Sequence, residues 1–208
     1  MLCFVGAGLI AYFIGSFPTG YIFGRFRGID LRKVGSGNVG ATNVTRVLGK
    51  KFGYPVFLID FCKGLVPVFL AGAIASRCGL TSFATDTSIA VAGIFSVVGH
   101  SYPVWLRFKG GKGVATSLGV IFGISWIAAL IMCAAWIVMF KITRYVSVAS
   151  IAAAIALPVA MITLSFLHNL RSPVFVYFSL CLAAIVVIRH RSNLSRLLNG
   201  SEPRFARK

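Results

Sequence analysis

The chain has 208 residues, 58% of them hydrophobic and only 12% charged, with a mean hydropathy of +0.89; 21 Lys and Arg stand against 4 Asp and Glu. That balance excludes an ordinary water-soluble domain, which needs a polar coat this sequence does not have. A net charge of +17 would suggest nucleic acid in a soluble protein, but here the basic residues sit in short loops between apolar stretches. The positive-inside bias and anionic headgroups explain most of them, so no nucleic-acid partner is expected.

Apolar runs of roughly 18 residues or more recur without polar alternation, the pattern of membrane-crossing helices and not of barrel strands. The first, about 2–24, has no basic residue ahead of it and is followed by Arg25 and Arg27. It reads as an uncleaved helix with its N-terminus outside and the next loop in the cytoplasm.

The loop 25–53 holds the first polar constellation, Lys33 to Arg46. Gly35, Gly37 and Gly40 match a dinucleotide fingerprint, and Asp60 lies at the expected later spacing, but no strand precedes them and Asp60 falls in an apolar helix. What the pattern retains is anion chemistry. Glycines let backbone N–H groups approach a phosphate, Ser36, Asn38, Thr42 and Asn43 add neutral hydrogen bonds, and Arg46 adds a permanently charged fork. The alternative is a flexible linker.

The second span, about 54–76, contains Asp60 and Lys63 at i, i+3, either a structural ion pair or part of a site lining. A polar loop, 77–87, leads to the third span, about 88–106, with His100 near its cytoplasmic end; a lone histidine there reads first as a packed residue. The basic turn 107–113 is the second constellation. Lys109 and Lys112 flank Gly110 and Gly111, and Gly113 follows where a new helix opens with Thr116 in its first turn. Helix N-termini attract anions, although the Walker A order is absent.

The stretch 114–140 is long for one crossing and short for two. Read as one span it gives six crossings and leaves Lys141, Arg144 and the basic tail outside. Read as two, turning at Gly119 or Gly123, it gives seven, with the N-terminus out and the C-terminus in, which the charges favour. Spans at about 146–168 and 172–188 follow, then the tail 189–208. There His190, Asn193 and Arg196 share a face at i, i+3, i+6, either a substrate face or the basic side of an interfacial helix. The expected fold is thus an all-α polytopic bundle in a single domain, 1–208. Cys3, Cys62, Cys78, Cys133 and Cys181 suit small hydrophobes better than disulfides or metal ligands, and the sequons at Asn43, Asn193 and Asn199 fall on the cytoplasmic side. No nucleophile elbow and no metal cluster is legible.

Six segments in order, Gly35 to Arg46, Asp60-x-x-Lys63-Gly64, Gly99-His100, Phe108 to Thr116, Thr143 to Ser147, and His190 to Glu202, resemble the acyl-phosphate-dependent glycerol-3-phosphate acyltransferases (PlsY type) over about residues 10–202. The resemblance implies a bacterial inner-membrane enzyme of seven helices, with its active site on the cytoplasmic side and no cofactor. It would make lysophosphatidic acid from acyl phosphate and glycerol 3-phosphate. Implied partners are those two substrates, membrane lipids and the enzyme that makes acyl phosphate. By motif, Ser36, Arg46, Lys112, His190 and Asn193 would be catalytic. Gly35, Gly37, Asn38, Gly40, Thr42, Asn43, Lys63, Lys109, Gly110, Gly111, Gly113, Thr116, Ser147 and Arg196 would bind substrate. The tail departs from the family in reading Ser192 where an acidic residue often precedes the Asn. A transporter for a phosphorylated metabolite or anionic lipid is the competing class, although polar motifs gathered on one side disfavour alternating access.

Overall fold

The computed structural model describes residues 2–205, and every regular element among them is helical. In order these are α1 (Leu2–Ser16), α2 (Thr19–Phe26), α3 (Ala41–Leu48), α4 (Lys50–Arg77), α5 (Ser82–Ser101), a short 3-10 turn (Val104–Leu106), α6 (Val114–Ile124), α7 (Trp126–Thr143), α8 (Val146–Phe166), α9 (Val174–Arg189) and α10 (Arg191–Leu198). Among the described residues, five stretches are long and apolar enough to cross a membrane: Cys3–Phe26, Lys50–Arg77, Ser82–Leu106, Trp126–Thr143 and Val146–Phe166. A sixth is formed if α9 and α10, bent by 52° at their junction, are taken as one span.

Three local features depart from the expected spans. The first span is broken between α1 and α2 at Phe17–Pro18, where proline lacks an amide hydrogen and disfavours helix in the residue before it. Nearly half of the expected loop 25–53 is helix, supplied by the end of α2, α3 and the first turn of α4. The stretch 114–140 is indeed two helices, but the chain runs straight through Gly119 and Gly123 and breaks at Ser125. Ser125 has extended backbone and its hydroxyl accepts the Ala128 N–H at 3.3 Å, an N-cap that starts α7. Gly119 serves contact instead. A Cβ there would overlap the Phe61 carbonyl of α4, just as one at Gly64 would overlap the Thr116 carbonyl of α6. Backbones meeting this closely are the usual device of membrane helices, which gain packing where no hydrophobic force draws them together. With 11 residues, α6 spans about 16 Å, roughly half the hydrocarbon layer.

The chain divides into two compact units, residues 1–123 and 124–208. In the first, α5 packs on α1 and α4, and α3 lies along the start of α4. The α1–α5 contact is again glycine-mediated, with Gly15 against the Ser96 carbonyl and Gly99 against the Tyr12 carbonyl. In the second, α8 packs on both α7 and α9, and the buried residues of these helices include Ala128, Ala149, Ala153, Leu157, Phe178 and Leu182.

Candidate functional site

The first glycine loop of unit 1 is folded around one side chain. Asn43, 1% exposed on α3, accepts the Ser36 N–H at 2.8 Å and directs its amide nitrogen at the carbonyls of Asn38 (2.8 Å), Val34 (3.1 Å) and Leu31 (3.2 Å). Asn38 repeats the device on a smaller scale, its side-chain oxygen accepting the Gly40 N–H at 2.7 Å. Gly35 has φ +63° and Gly37 φ +71°, both in the left-handed region, and a Cβ on Gly35 would strike the Asn43 amide. Glycine is required at position 35 twice over. Gly40 then leads into α3, where Thr42 and the exposed Arg46 share a face at i, i+4. At the loop's start, Arg32 clamps Asp30 through two hydrogen bonds of 2.9 and 2.8 Å and lies over the Tyr21 ring at 4.8 Å. That clamp holds the Asp30 carboxyl down to about 2.

The second glycine turn is tied back onto the end of α5. The Gly110 N–H donates to the Ser101 carbonyl at 3.1 Å and the Gly111 N–H to the His100 carbonyl at 3.0 Å. Arg107 and Phe108, just before it, both have positive φ (51° and 60°), an uncommon conformation for side chains of this size. Gly113, at φ +79°, delivers the chain into α6. Thr116 and Ser117 follow in its first turn, both at most 1% exposed, with hydroxyls that make no hydrogen bond. Lys112 is half-buried and Lys109 exposed.

Behind this turn lies the ion pair that the i, i+3 spacing left open. Lys63 Nζ meets Asp60 Oδ1 at 2.6 Å, with side chains 5% and 3% exposed, and His100 Nδ1 stands 3.8 Å from the same oxygen.

Unit 2 gathers its polar side chains on one carboxylate. Glu202 Oε1 accepts from Ser147 Oγ at 2.7 Å and from Asn193 Nδ2 at 2.6 Å, while Oε2 accepts from Arg196 Nε at 2.8 Å. Burial pushes the Glu202 carboxyl up, but these three hydrogen bonds and the Arg196 charge outweigh it and leave the group below its ordinary value. Glu202 is not among the site residues that the sequence motifs name. The signal was there: it is the lone acid in a tail otherwise rich in Arg. The tail is also fastened beyond it, by the Phe205 N–H to the Arg144 carbonyl at 3.1 Å and by Arg204 over the Tyr145 ring at 4.8 Å. Asn193 and Arg196 do share a face. His190 sits at the α9–α10 bend, 2% exposed, with Nδ1 2.8 Å from the Val186 carbonyl. A carbonyl only accepts, so Nδ1 carries the hydrogen, and in the neutral ring Nε2 carries the lone pair.

Comparison with known proteins gives a consistent result. A family model described as glycerol-3-phosphate acyltransferase matches residues 5–200. The chain is 46% identical over 199 residues to a glycerol-3-phosphate acyltransferase of Aquifex aeolicus, covering 95% of this chain and 96% of that protein. It is likewise 46% identical over 209 residues to one of Synechococcus elongatus, covering 100% and 97%. Two crystal structures of PlsY, an integral membrane glycerol 3-phosphate acyltransferase, are similar in fold. The glycerol 3-phosphate form has a TM-score of 0.84 at 42% identity, covering 98% of this chain and 96% of that one. The lysophosphatidic acid form has a TM-score of 0.82 at 40% identity, covering 98% and 95%.

Proposed function

The chain belongs to the glycerol-3-phosphate acyltransferase family and is a multi-pass membrane acyltransferase, and from that premise we propose that it transfers a fatty acyl group from acyl phosphate to glycerol 3-phosphate. The products are lysophosphatidic acid and inorganic phosphate, the first acylation of phospholipid synthesis in a bacterial inner membrane. In this reading the short α6 completes seven crossings, with the N-terminus outside and the basic loops and tail in the cytoplasm, as the charge distribution favours.

The observation that carries the reading is the pair of shaped glycine turns in unit 1, each bearing a cation, Arg46 with the first and Lys112 with the second. Two phosphate-bearing reactants repel each other strongly in a low dielectric unless amide dipoles and fixed cations offset their charge. One turn holds one phosphate and the other turn the second. Asn43 acts by keeping the first turn in shape, with Ser36, Asn38 and Thr42 available around it. The buried hydroxyls of Thr116 and Ser117 add donors at the start of α6.

An acyl phosphate is already activated, so the protein's task is placement and charge stabilisation. The primary hydroxyl of glycerol 3-phosphate attacks the acyl carbonyl carbon, the bond from that carbon to the phosphate oxygen breaks, and phosphate leaves. The hydroxyl proton passes to His190 Nε2 or to a phosphate oxygen, a choice that the pH–rate profile of a His190→Gln variant decides. Asn193 and Arg196, oriented by Glu202, supply further N–H donors, while the Ser147 hydroxyl, whose hydrogen goes to Glu202, offers an acceptor.

The test is purified protein in detergent, offered acyl phosphate, acyl-CoA and acyl carrier protein donors in parallel, with lysophosphatidic acid followed directly. Product from acyl phosphate without any sealed compartment is expected. Arg46→Ala and Lys112→Ala should each lower kcat/KM by about a hundredfold or more, the loss of a charge-assisted phosphate contact of about 3 kcal/mol. Near-normal turnover in both variants would sink the assignment.

A further inference from the structure

One buried group has no role in this chemistry, yet it lies against the second glycine turn, which does. His100, in the last turn of α5, is 9% exposed. Its Nδ1 stands 3.8 Å from Asp60 Oδ1, and that oxygen is already held by Lys63 at 2.6 Å. The opposite edge of the ring faces Gly111 so closely that a Cβ on that glycine would overlap Nε2, Cε1 and Cδ2, the three nearest atoms to it. The backbone of the same residue is engaged too, its carbonyl accepting the Gly111 N–H at 3.0 Å. On the neighbouring residue, a Cβ at Gly110 would overlap the His100 carbonyl and the Pro103 ring. The glycine turn therefore rests on His100 through both ring and backbone, and the ring rests against the Asp60–Lys63 pair.

A buried ion pair is weak evidence of stability, because desolvating two charges offsets most of their attraction. Its effect here is directional. The Asp60 carboxylate, 3.8 Å from Nδ1, attracts that edge of the ring electrostatically without a hydrogen bond and so biases its plane, and the plane of the ring decides how close Gly111 can come. Glycine pairs lose more conformational freedom on ordering than any other dipeptide, and a turn already ordered binds its ligand without that cost.

We propose that His100, oriented by Asp60 and Lys63, is a positioning residue for the Gly110–Gly113 turn, setting the affinity for the phosphate substrate that this turn holds without touching that substrate. The inference rests on the reading that the turn binds a phosphate.

The experiment measures kcat and the KM for acyl phosphate and for glycerol 3-phosphate separately, in purified wild type, Lys112→Ala, His100→Ala, His100→Gln, Asp60→Asn, Gly111→Ala and the His100→Ala/Gly111→Ala double variant. Thermal melting in detergent runs alongside. Lys112→Ala identifies the substrate that the turn holds, as the one whose KM rises. His100→Ala should raise the KM for that same substrate about tenfold to thirtyfold, leaving the other KM within about twofold, since the other substrate's contacts are untouched. Asp60→Asn should move the same KM in the same direction but less, and His100→Gln, which restores a flat polar group, should recover part of the loss. Gly111→Ala should also raise it. Because the His100 ring alone supplies the three nearest atoms to the added methyl, the double variant should be no worse than His100→Ala, a non-additivity that residues in contact show.

Three results would overturn the proposal: unchanged KM values in folded His100→Ala and His100→Gln, a fall in kcat with both KM values intact, or His100→Ala and Gly111→Ala effects that simply multiply. If His100→Ala does not fold, His100→Gln and Asp60→Asn carry the same comparison. Failure of the premise looks different: the wild type makes no lysophosphatidic acid, or Lys112→Ala leaves both KM values unchanged.

Discussion

The two units organise their polar groups in opposite ways. Unit 1 makes its polar turns from backbone, with glycines folded around a buried side chain that is either neutral, Asn43, or flanked by an ion pair, His100. Unit 2 makes its polar cluster from side chains of α8 and α10 collected by one tail carboxylate, Glu202. An amide does not titrate, so a turn built on Asn43 keeps its shape across the pH range. A carboxylate hub titrates, and one proton removes its charge and one of its accepting oxygens, weakening all three contacts together. The first design fails only when its organising residue is removed, whereas the second is weakened by protons.

The largest expected effect is on the amide-centred side. Asn43→Ala removes four hydrogen bonds and leaves buried carbonyls without donors, which should cost about 2–4 kcal/mol and abolish most turnover. A thermal midpoint equal to wild type would mean that the loop is held some other way. Next comes Glu202→Ala, at about 2–3 kcal/mol, with Glu202→Gln about half as costly because an amide oxygen still accepts while the charge assistance to Arg196 is gone. Equal melting of the Gln and Ala variants would deny the carboxylate its central role.

Third is acid. The Glu202 carboxyl lies below its ordinary value of 4.5 in the folded protein, so the folded state releases this proton more readily than the unfolded chain does. Its stabilisation is fully present above pH 4.5 and is lost as pH falls through the depressed folded value. Thermal midpoints measured downward from pH 5 should therefore drop more steeply in wild type than in Glu202→Gln, and identical slopes would remove Glu202 from the acid limb. The smallest effect belongs to Asp30→Asn. The Asp30–Arg32 clamp is solvent-facing, with Arg32 42% exposed, and exposed pairs contribute little. Its melting curve should match wild type within repeat error.

Much of this was legible beforehand. Unbroken hydrophobicity named the helices, the glycine and arginine clusters named the turns, and the length of 114–140 against the charge distribution demanded a break. Pro18 marks its break locally, inside a run that hydrophobicity alone reads as one span, whereas the other differences lie in tertiary contacts. Gly119 and Gly123, and not Ser125, read as the turn, because a glycine that bends a helix and a glycine that lets α4 approach look alike until the neighbour is known. Asn43 read as a ligand contact, since nothing in its neighbourhood tells whether an amide faces outward or grips carbonyls five to twelve residues back.

Composition and periodicity alone determined that this chain is a helical membrane protein with basic, glycine-rich loops, because lipid forces every span to satisfy its own backbone and to leave its charges at the ends. Which polar side chains meet was decided only in three dimensions. Ser147 finds Glu202 across 55 residues, and His100 finds Asp60 across a helix packing, because such pairs form where helices cross and where the chain doubles back, and no local pattern records those crossings.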